Sequence, residues 1–281
     1  MIRIGSRTST LAKIQTELFA KVLKEKGEGF RIKRVRTSAD KSNKKIQDLG
    51  PNAFTKELDQ ALLTGEIDLA VHSLKDIEIN LPKGLEICYI FGRNDARDCI
   101  LSKNNEKLDE LKQGAVIGCS SQRRVAELSH LRPDLITKPI RGNVPTRIEK
   151  LKSDFDAVVL AVAGLQRLGL ENKISQTFEI NEFVPAAGQG ALGIVCRKGE
   201  NFGFAGGKNF DECLLEREFA RGLGACRNPV GAFCKKNGEE LELTGLRYKG
   251  NLRITPNFSG GKTSVVLQIR EWKKEFQRRL N

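Results

Sequence analysis

Leu11, Ile14, Leu18, Val22 and Leu23 recur at the three- and four-residue spacing of one helical face and predict a helix over residues 10–26. Ser9 or Thr8 supplies its N-cap, and Gly27 lies beyond its end. The apolar run at 2–4 reads as a preceding strand, and 30–35, with alternating basic residues, as a second. A helix over 54–63 carries Leu58, Ala61 and Leu62, stops at Gly65 and feeds a strand at 67–71 that ends in His72-Ser73. The middle of the chain repeats this grammar. A strand at 115–118 leads through Cys119-Ser120-Ser121 into a helix at 122–131. Another strand, 136–140, ends in Arg141-Gly142-Asn143, and Pro145 opens a helix. The segment 155–160 then resembles 67–71. Two similar α/β halves follow, each with a mostly parallel sheet.

The glycine-rich segment 202–209 is the linker candidate. Beyond it the pattern changes to a helix at 211–223, strands near 230–233, 240–246 and 264–268, and a basic helix at 271–280. This is a small α+β domain. Trp272, Phe276 and Leu280 share one face of the last helix, which reads as packed and not as a membrane anchor.

Composition narrows the function. The 281 residues suit two or three compact units, and 39% hydrophobic with 30% charged residues describe a soluble globular chain. The longest uncharged apolar run, 157–166, is too short to span a bilayer, and the polar stretch after Met1-Ile2-Arg3-Ile4 has no signal-like apolar core; a cytoplasmic protein is expected. Lys and Arg outnumber Asp and Glu by 48 to 35, a net +13, so the partner is an anion. With only 6% aromatic residues, no basic tail and no nucleic-acid motif, a small acidic molecule is favoured over nucleic acid. Two histidines and seven cysteines without a C-x-x-C pair argue against a metal site and a disulfide framework.

Ligands of open α/β sheets bind where strands hand over to helices. Those loops here are polar and basic: Ser6-Arg7-Thr8-Ser9, His72-Ser73-Leu74-Lys75-Asp76, Ser120-Ser121-Gln122-Arg123-Arg124 and Arg141-Gly142-Asn143. Arg123, Arg124 and Arg147 stand in first helical turns, where the helix dipole disfavours a cation. Either a bound anion or salt bridges to nearby acids account for them. Asp76 is the single acid of its loop; it either stabilises a developing cation or caps and pairs locally. His72 reads as a hydrogen-bonded core residue or a catalyst, and Lys75 as a cation or an amine nucleophile. Cys226, among small residues and beside Arg227, is either a reactive thiol or an exposed loop cysteine without a role.

Taken in order, the motifs resemble the porphobilinogen deaminase (hydroxymethylbilane synthase) family over almost the whole chain. They are Arg3-Ile4-Gly5-Ser6-Arg7 with Ser9 and Leu11-Ala12, Phe54-Thr55-Lys56-Glu57-Leu58, and Ala70-Val71-His72-Ser73-Leu74-Lys75-Asp76. Next come Gly118-Cys119-Ser120-Ser121-Gln122-Arg123-Arg124, Arg132-Pro133-Asp134-Leu135 and Arg141-Gly142-Asn143-Val144. Leu160-Ala161-Val162-Ala163-Gly164-Leu165 and Pro185-Ala186-Ala187-Gly188-Gln189-Gly190 complete the set.

The resemblance implies two periplasmic-binding-protein-like α/β domains flanking a cleft, at 1–92 with 188–207 and at 97–184, plus a small α+β domain at 210–281. It implies a dipyrromethane cofactor held by a thioether to Cys226, on which four porphobilinogen units are condensed with release of ammonia before hydrolysis frees hydroxymethylbilane. Lys75, Ser73, Cys119, Ser121, Arg123, Arg124 and Asp40 are implied cofactor contacts. Arg7, Ser9, Gln15, Arg141, Arg147, Arg167 and Gln189 are implied substrate contacts, and Asp76 the catalytic carboxylate that accepts the pyrrole N–H, stabilises the cation and helps remove the proton. A monomer without nucleic-acid or membrane partners is expected. The alternative from another class is a non-catalytic, two-lobed anion-binding protein.

Four departures from the family pattern stand out. Gly50-Pro51-Asn52-Ala53-Phe54 lacks a usual lysine. Gly224-Ala225-Cys226 replaces Gly-Gly-Cys. Cys119 and Gln122 replace Thr and Leu, and the segment 197–216 is short.

Overall fold

The structure is a computed structural model and describes residues 1–37, 55–225 and 228–278. In chain order its first elements are β1 (Ile2–Arg7), α1 (Thr10–Glu25), β2 (Phe30–Val35), α2 (Lys56–Leu63), β3 (Leu69–Ser73), β4 (Leu85–Phe91), β5 (Asp98–Ser102) and β6 (Val116–Gly118). Then follow α3 (Gln122–Leu131), β7 (Ile136–Lys138), α4 (Val144–Glu149), β8 (Ala157–Ala161), α5 (Val162–Leu168), β9 (Gln176–Thr177) and β10 (Leu192–Arg197). The last are α6 (Phe210–Ala220), β11 (Val230–Asn237), β12 (Glu240–Lys249), β13 (Leu252–Ile254), β14 (Asn257–Gly260) and α7 (Lys262–Arg278).

The described chain divides into two compact units. The first comprises Met1–Asp95, Val162–Asn172 and Gln189–Phe210; the second comprises Ala96–Ala161, Lys173–Gly188 and Asp211–Asn281. The first unit carries a five-stranded sheet in the order β2-β1-β3-β10-β4. Strand β1 runs parallel to β2 and β3, as the βαβ grammar requires, whereas β10 returns from far along the chain and pairs antiparallel with β3 and β4. Its core gathers Ile4, Phe19, Leu23, Leu69, Val71 and Ile194.

Helix α1 turns a face to the core that differs from the aliphatic stripe in the sequence: Ala12, Gln15, Thr16, Phe19, Ala20 and Leu23 are buried, and Leu18 and Val22 pack only partly. Small residues let the helix approach the sheet closely. The two polar ones are hydrogen-bonded, Thr16 Oγ1 to Ser6 Oγ at 2.6 Å and Gln15 Nε2 to Ser73 Oγ at 2.8 Å. The linker candidate 202–209 packs on this unit through Phe204, and Gly206 bridges Tyr89. Gly207, at φ +101°, lies so close to the Ile90 carbonyl that no side chain fits.

The second unit repeats the arrangement, in the order β7-β6-β8-β5-β9, with β6 parallel to β7 and β8 and with β5 antiparallel to β8 and β9. Ile100, Ile117, Leu128, Val159, Phe178 and Phe183 form its core. The C-terminal α+β portion has its own sheet, β11-β12-β13 with β14 on β12, yet belongs to this unit. Glu216 of α6 holds it there, accepting the Gly188 amide at 2.7 Å and the Cys234 amide at 2.8 Å. The strand expected at 264–268 is instead part of α7. Val265, Ile269 and Phe276 recur at helical spacing and are buried, and Trp272 stacks between Phe276 and Phe219 at 5.0 and 5.4 Å. This packing outweighs the strand preference of the local β-branched residues.

Candidate active site

In the first unit, β1 ends at Arg7, and Ser9 caps α1 by accepting the Ala12 amide at 3.3 Å. Strand β3 ends at His72-Ser73 and passes into a single 3₁₀ turn, Leu74–Asp76. Parallel pairing of β1 and β3 aligns these two ends, so their loops open on the same edge of the sheet. They border a small open recess lined by Arg7, Ser9, Leu11, Ala12, Gln15, Val71, His72, Ser73 and Asp76. Five implied site residues, Arg7, Ser9, Gln15, Ser73 and Asp76, therefore meet in one place. Asp76 is exposed, and no hydrogen bond or ion pair engages its carboxylate among the described residues.

His72 is buried, and burial, aided by the charge of Arg7, pushes its imidazole down to about 4, so it is neutral near pH 7. Its Nε2 has no hydrogen-bond partner among the described residues, unlike the satisfied core histidine the sequence allowed. Lys75 reaches Gln189, Nζ to Oε1 at 3.2 Å. Arg167 of α5 donates to the backbone carbonyls of Gly92 and Gly190, at 2.9 and 2.5 Å, and burial lowers its guanidinium to about 10.

In the second unit the first-turn arginines of α3 are buried. Asp98, at the start of β5, takes Arg123 Nη2 at 2.7 Å on one carboxylate oxygen and Arg124 Nη2 at 2.7 Å on the other. Arg123 also donates to the Val184 carbonyl at 2.8 Å, and Arg124 to that of Val159 at 2.9 Å. Of the two sequence alternatives, the salt bridge is thus present. One carboxylate nevertheless meets two guanidiniums, and Nε of Arg123 is buried without a hydrogen-bond partner among the described residues.

Strand β11 lies directly against this pair. A Cβ on Gly231 would sit 2.8 Å from the Val184 and Pro185 carbonyls and 3.2 Å from Arg123 Cδ. Cys119 is buried, its thiol pushed up by burial, and Ser121 precedes α3 with no side-chain capping bond. Ser120 and Ile140 exchange hydrogen bonds at 2.8 and 2.9 Å, which ties the loop after β6 to Arg141. Arg141 has a buried Nη2 without a partner among the described residues, and Arg147 donates to the Gly142 carbonyl at 2.8 Å. Asp40 and Cys226, with the departures at 50–54, lie outside the described residues. Among the described residues no group of three or more His, Cys, Asp or Glu could hold a metal ion, and no helix is long and apolar enough to cross a membrane.

A family model described as "Porphobilinogen deaminase, dipyromethane cofactor binding domain" matches residues 2–202. Porphobilinogen deaminase from Bacillus subtilis is 44% identical over 263 residues, covering 87% of this chain and 82% of that protein. The enzyme from Clostridium botulinum strain Langeland is 41% identical over 269 residues, covering 92% and 93%. The chain belongs to the porphobilinogen deaminase family. Its activity is that of a transferase of tetrapyrrole biosynthesis, and the non-catalytic alternative is not favoured.

Among solved structures, a nutrient-binding protein from Burkholderia cenocepacia is similar at 12% identity and a TM-score of 0.44, over 70% of this chain and 85% of that one. A periplasmic substrate-binding protein of an ABC transporter from Coxiella burnetii is similar at 15% identity and a TM-score of 0.44, over 70% and 85%. The site residue that sequence reasoning missed within this deaminase family member is Asp98. Its signal was an acid opening an otherwise apolar strand, which requires a buried partner.

Proposed function

We propose that this chain binds porphobilinogen in the recess of the first unit and joins four such units head to tail, releasing one ammonia with each, before water cleaves the product from the cofactor as hydroxymethylbilane. The observation that carries the reading is the meeting of Asp76 with Arg7, Ser9, Gln15 and Ser73 around one recess. Arg7 and Ser9 offer a guanidinium and a hydroxyl to the substrate's carboxylates. Loss of ammonia breaks the carbon–nitrogen bond and leaves a cation delocalised over the pyrrole. Asp76, unengaged in the described chain, accepts the pyrrole N–H, lowers the energy of that cation, and takes the proton released once the new carbon–carbon bond has formed.

The residues of the second unit suit a carboxylate-rich group. Two buried guanidiniums share the single carboxylate of Asp98, and the orphaned Nε of Arg123 and Nη2 of Arg141 remain as donors. Arg123, Arg124, Arg141, Ser121 and Cys119, with Lys75, Ser73 and Asp40, would hold dipyrromethane. When bound through a thioether to Cys226, it supplies the pyrrole carbon from which the chain is extended. Arg147, Arg167 and Gln189 are assigned to incoming or growing rings.

The domain reading stays at 1–92 with 188–207, 97–184 and 210–281, and the enzyme is taken as a cytoplasmic monomer without nucleic-acid or membrane partners. Sedimentation of the purified protein tests the monomer. Asp76→Asn tests the chemistry: the purified variant keeps the mass of the loaded protein, while turnover falls by ~10²-fold or more. Normal turnover in a loaded Asp76→Asn protein refutes the role of Asp76.

A further inference from the structure

Glu127 lies on α3 one turn after Arg123, so the two side chains share a face of the helix. Both are buried, Glu127 completely. Its partner comes from β13: Arg253 donates from Nε to one carboxylate oxygen at 3.2 Å and from Nη2 to the other at 3.1 Å. The same Nη2 reaches the backbone carbonyls of Asn181 and Glu182, at 3.0 and 3.1 Å. One guanidinium from the C-terminal sheet therefore grips both α3 and the backbone that leads to Phe183 and Val184.

That backbone also sets the direction of Arg123. Arg123 Nη1 donates to the Val184 carbonyl at 2.8 Å, and its guanidinium lies 5.8 Å from the centre of the Phe183 ring. From the other side, the Ala232 amide of β11 donates to the Pro185 carbonyl at 2.9 Å, and Leu246 and Tyr248 of β12 pack on Val184. Burial pushes the Glu127 carboxyl up, against the pull of Arg253 and, after it, of Arg123. A buried ion pair contributes little net stability compared with apolar residues of similar size, because both charges lose water. What a guanidinium fork on a carboxylate adds is a fixed direction.

We propose that Glu127 and Arg253 are positioning residues for the cofactor: their fork holds the 181–185 backbone against α3 and thereby aims the Arg123 guanidinium at the carboxylate it binds. The inference rests on the assignment of Arg123 to dipyrromethane.

The test follows cofactor loading. Apoprotein from cells without a porphobilinogen supply is mixed with porphobilinogen, and the gain of one dipyrromethane is timed by intact-protein mass spectrometry. Arg253→Met removes the fork and both carbonyl bonds, and it loads about tenfold more slowly than wild type. Arg253→Lys keeps the charge without the fork and loads at an intermediate rate. Because Arg253→Met leaves Glu127 as a lone buried charge, its melting temperature also falls. The double variant Glu127→Met/Arg253→Met removes that charge and melts close to wild type, yet it loads as slowly as Arg253→Met. Loading that recovers together with melting in the double variant overturns the proposal, as does wild-type loading by folded Arg253→Met.

A cycle with Arg123→Lys reads whether the pair acts through Arg123. In that background Arg253→Met slows loading by less than about twofold, whereas the same tenfold factor there overturns the inference. A wild-type protein that gains no dipyrromethane defeats the cofactor reading itself. A wild type that loads no faster than the variants defeats only the positioning role.

Discussion

Asp98 Oδ1 accepts hydrogen bonds from both Nε and Nη2 of Arg124, at 3.1 and 2.7 Å, with both side chains buried in the second unit. The first turn of α3 thereby carries a cation whose partner lies on β5, the neighbour of β8 in the sheet. Asp98→Asn removes the negative charge and leaves two buried guanidiniums facing an amide. We expect the variant to lose about 3–5 kcal/mol of stability, read from its urea midpoint. A loss below about 1 kcal/mol would show that the arginines find other compensation.

The cofactor assignment predicts a mass. Protein expressed with porphobilinogen available weighs more than its sequence by one dipyrromethane, and Cys226→Ala returns to the sequence mass on intact-protein mass spectrometry. An unmodified wild-type mass under those conditions removes the covalent assignment.

Gly231 gives a packing test beside the same arginines. Its missing Cβ leaves room for two backbone carbonyls, which cannot swing aside as a side-chain tip can. Gly231→Val should cost roughly 1–3 kcal/mol and shift β11 away from Arg123. Thermal melting with the arginine signals followed by NMR reads both effects. Wild-type melting would mean that the Val184-Pro185 backbone yields.

Acid sensitivity has a defined contributor in the first unit. Arg3 hydrogen-bonds Asp68, with Arg197 assisting, and holds its carboxyl at about 2, below the ordinary value of about 3.9. A depressed folded value stabilises the fold above the unfolded value, and that contribution disappears as pH falls from about 4 through 2. Asp68→Asn should therefore be less stable than wild type at pH 7, and the gap should narrow across that window in urea titrations. A gap independent of pH would show that Asp68 acts through packing alone.

Much of the scaffold was legible because local rules and tertiary demands agreed. The alternation of strands with helices, Ser9 as N-cap, the stop of α1 near Gly27, and Asn143 capping α4 by accepting the Thr146 amide at 2.9 Å all follow from nearby residues. Legibility failed where distance along the chain decides. The antiparallel entry of β10 depends on a segment more than a hundred residues after β3. The helix through 264–268 depends on contacts with Phe219 and not on local preference.

The site divides in the same way. By itself the sequence determined the chemistry available: a basic, carboxylate-seeking set of loops, Asp76 as the acid among them, and motifs in family order. Only the tertiary structure decided how those groups are spent. It placed Arg123 and Arg124 on the shared carboxylate of Asp98, turned Gln15 inward to Ser73, and left Asp76 on the recess wall without a hydrogen bond or ion pair among the described residues. The physical reason is that the partners of a buried charge or donor are set by packing between segments distant in the chain, which sequence spacing does not specify.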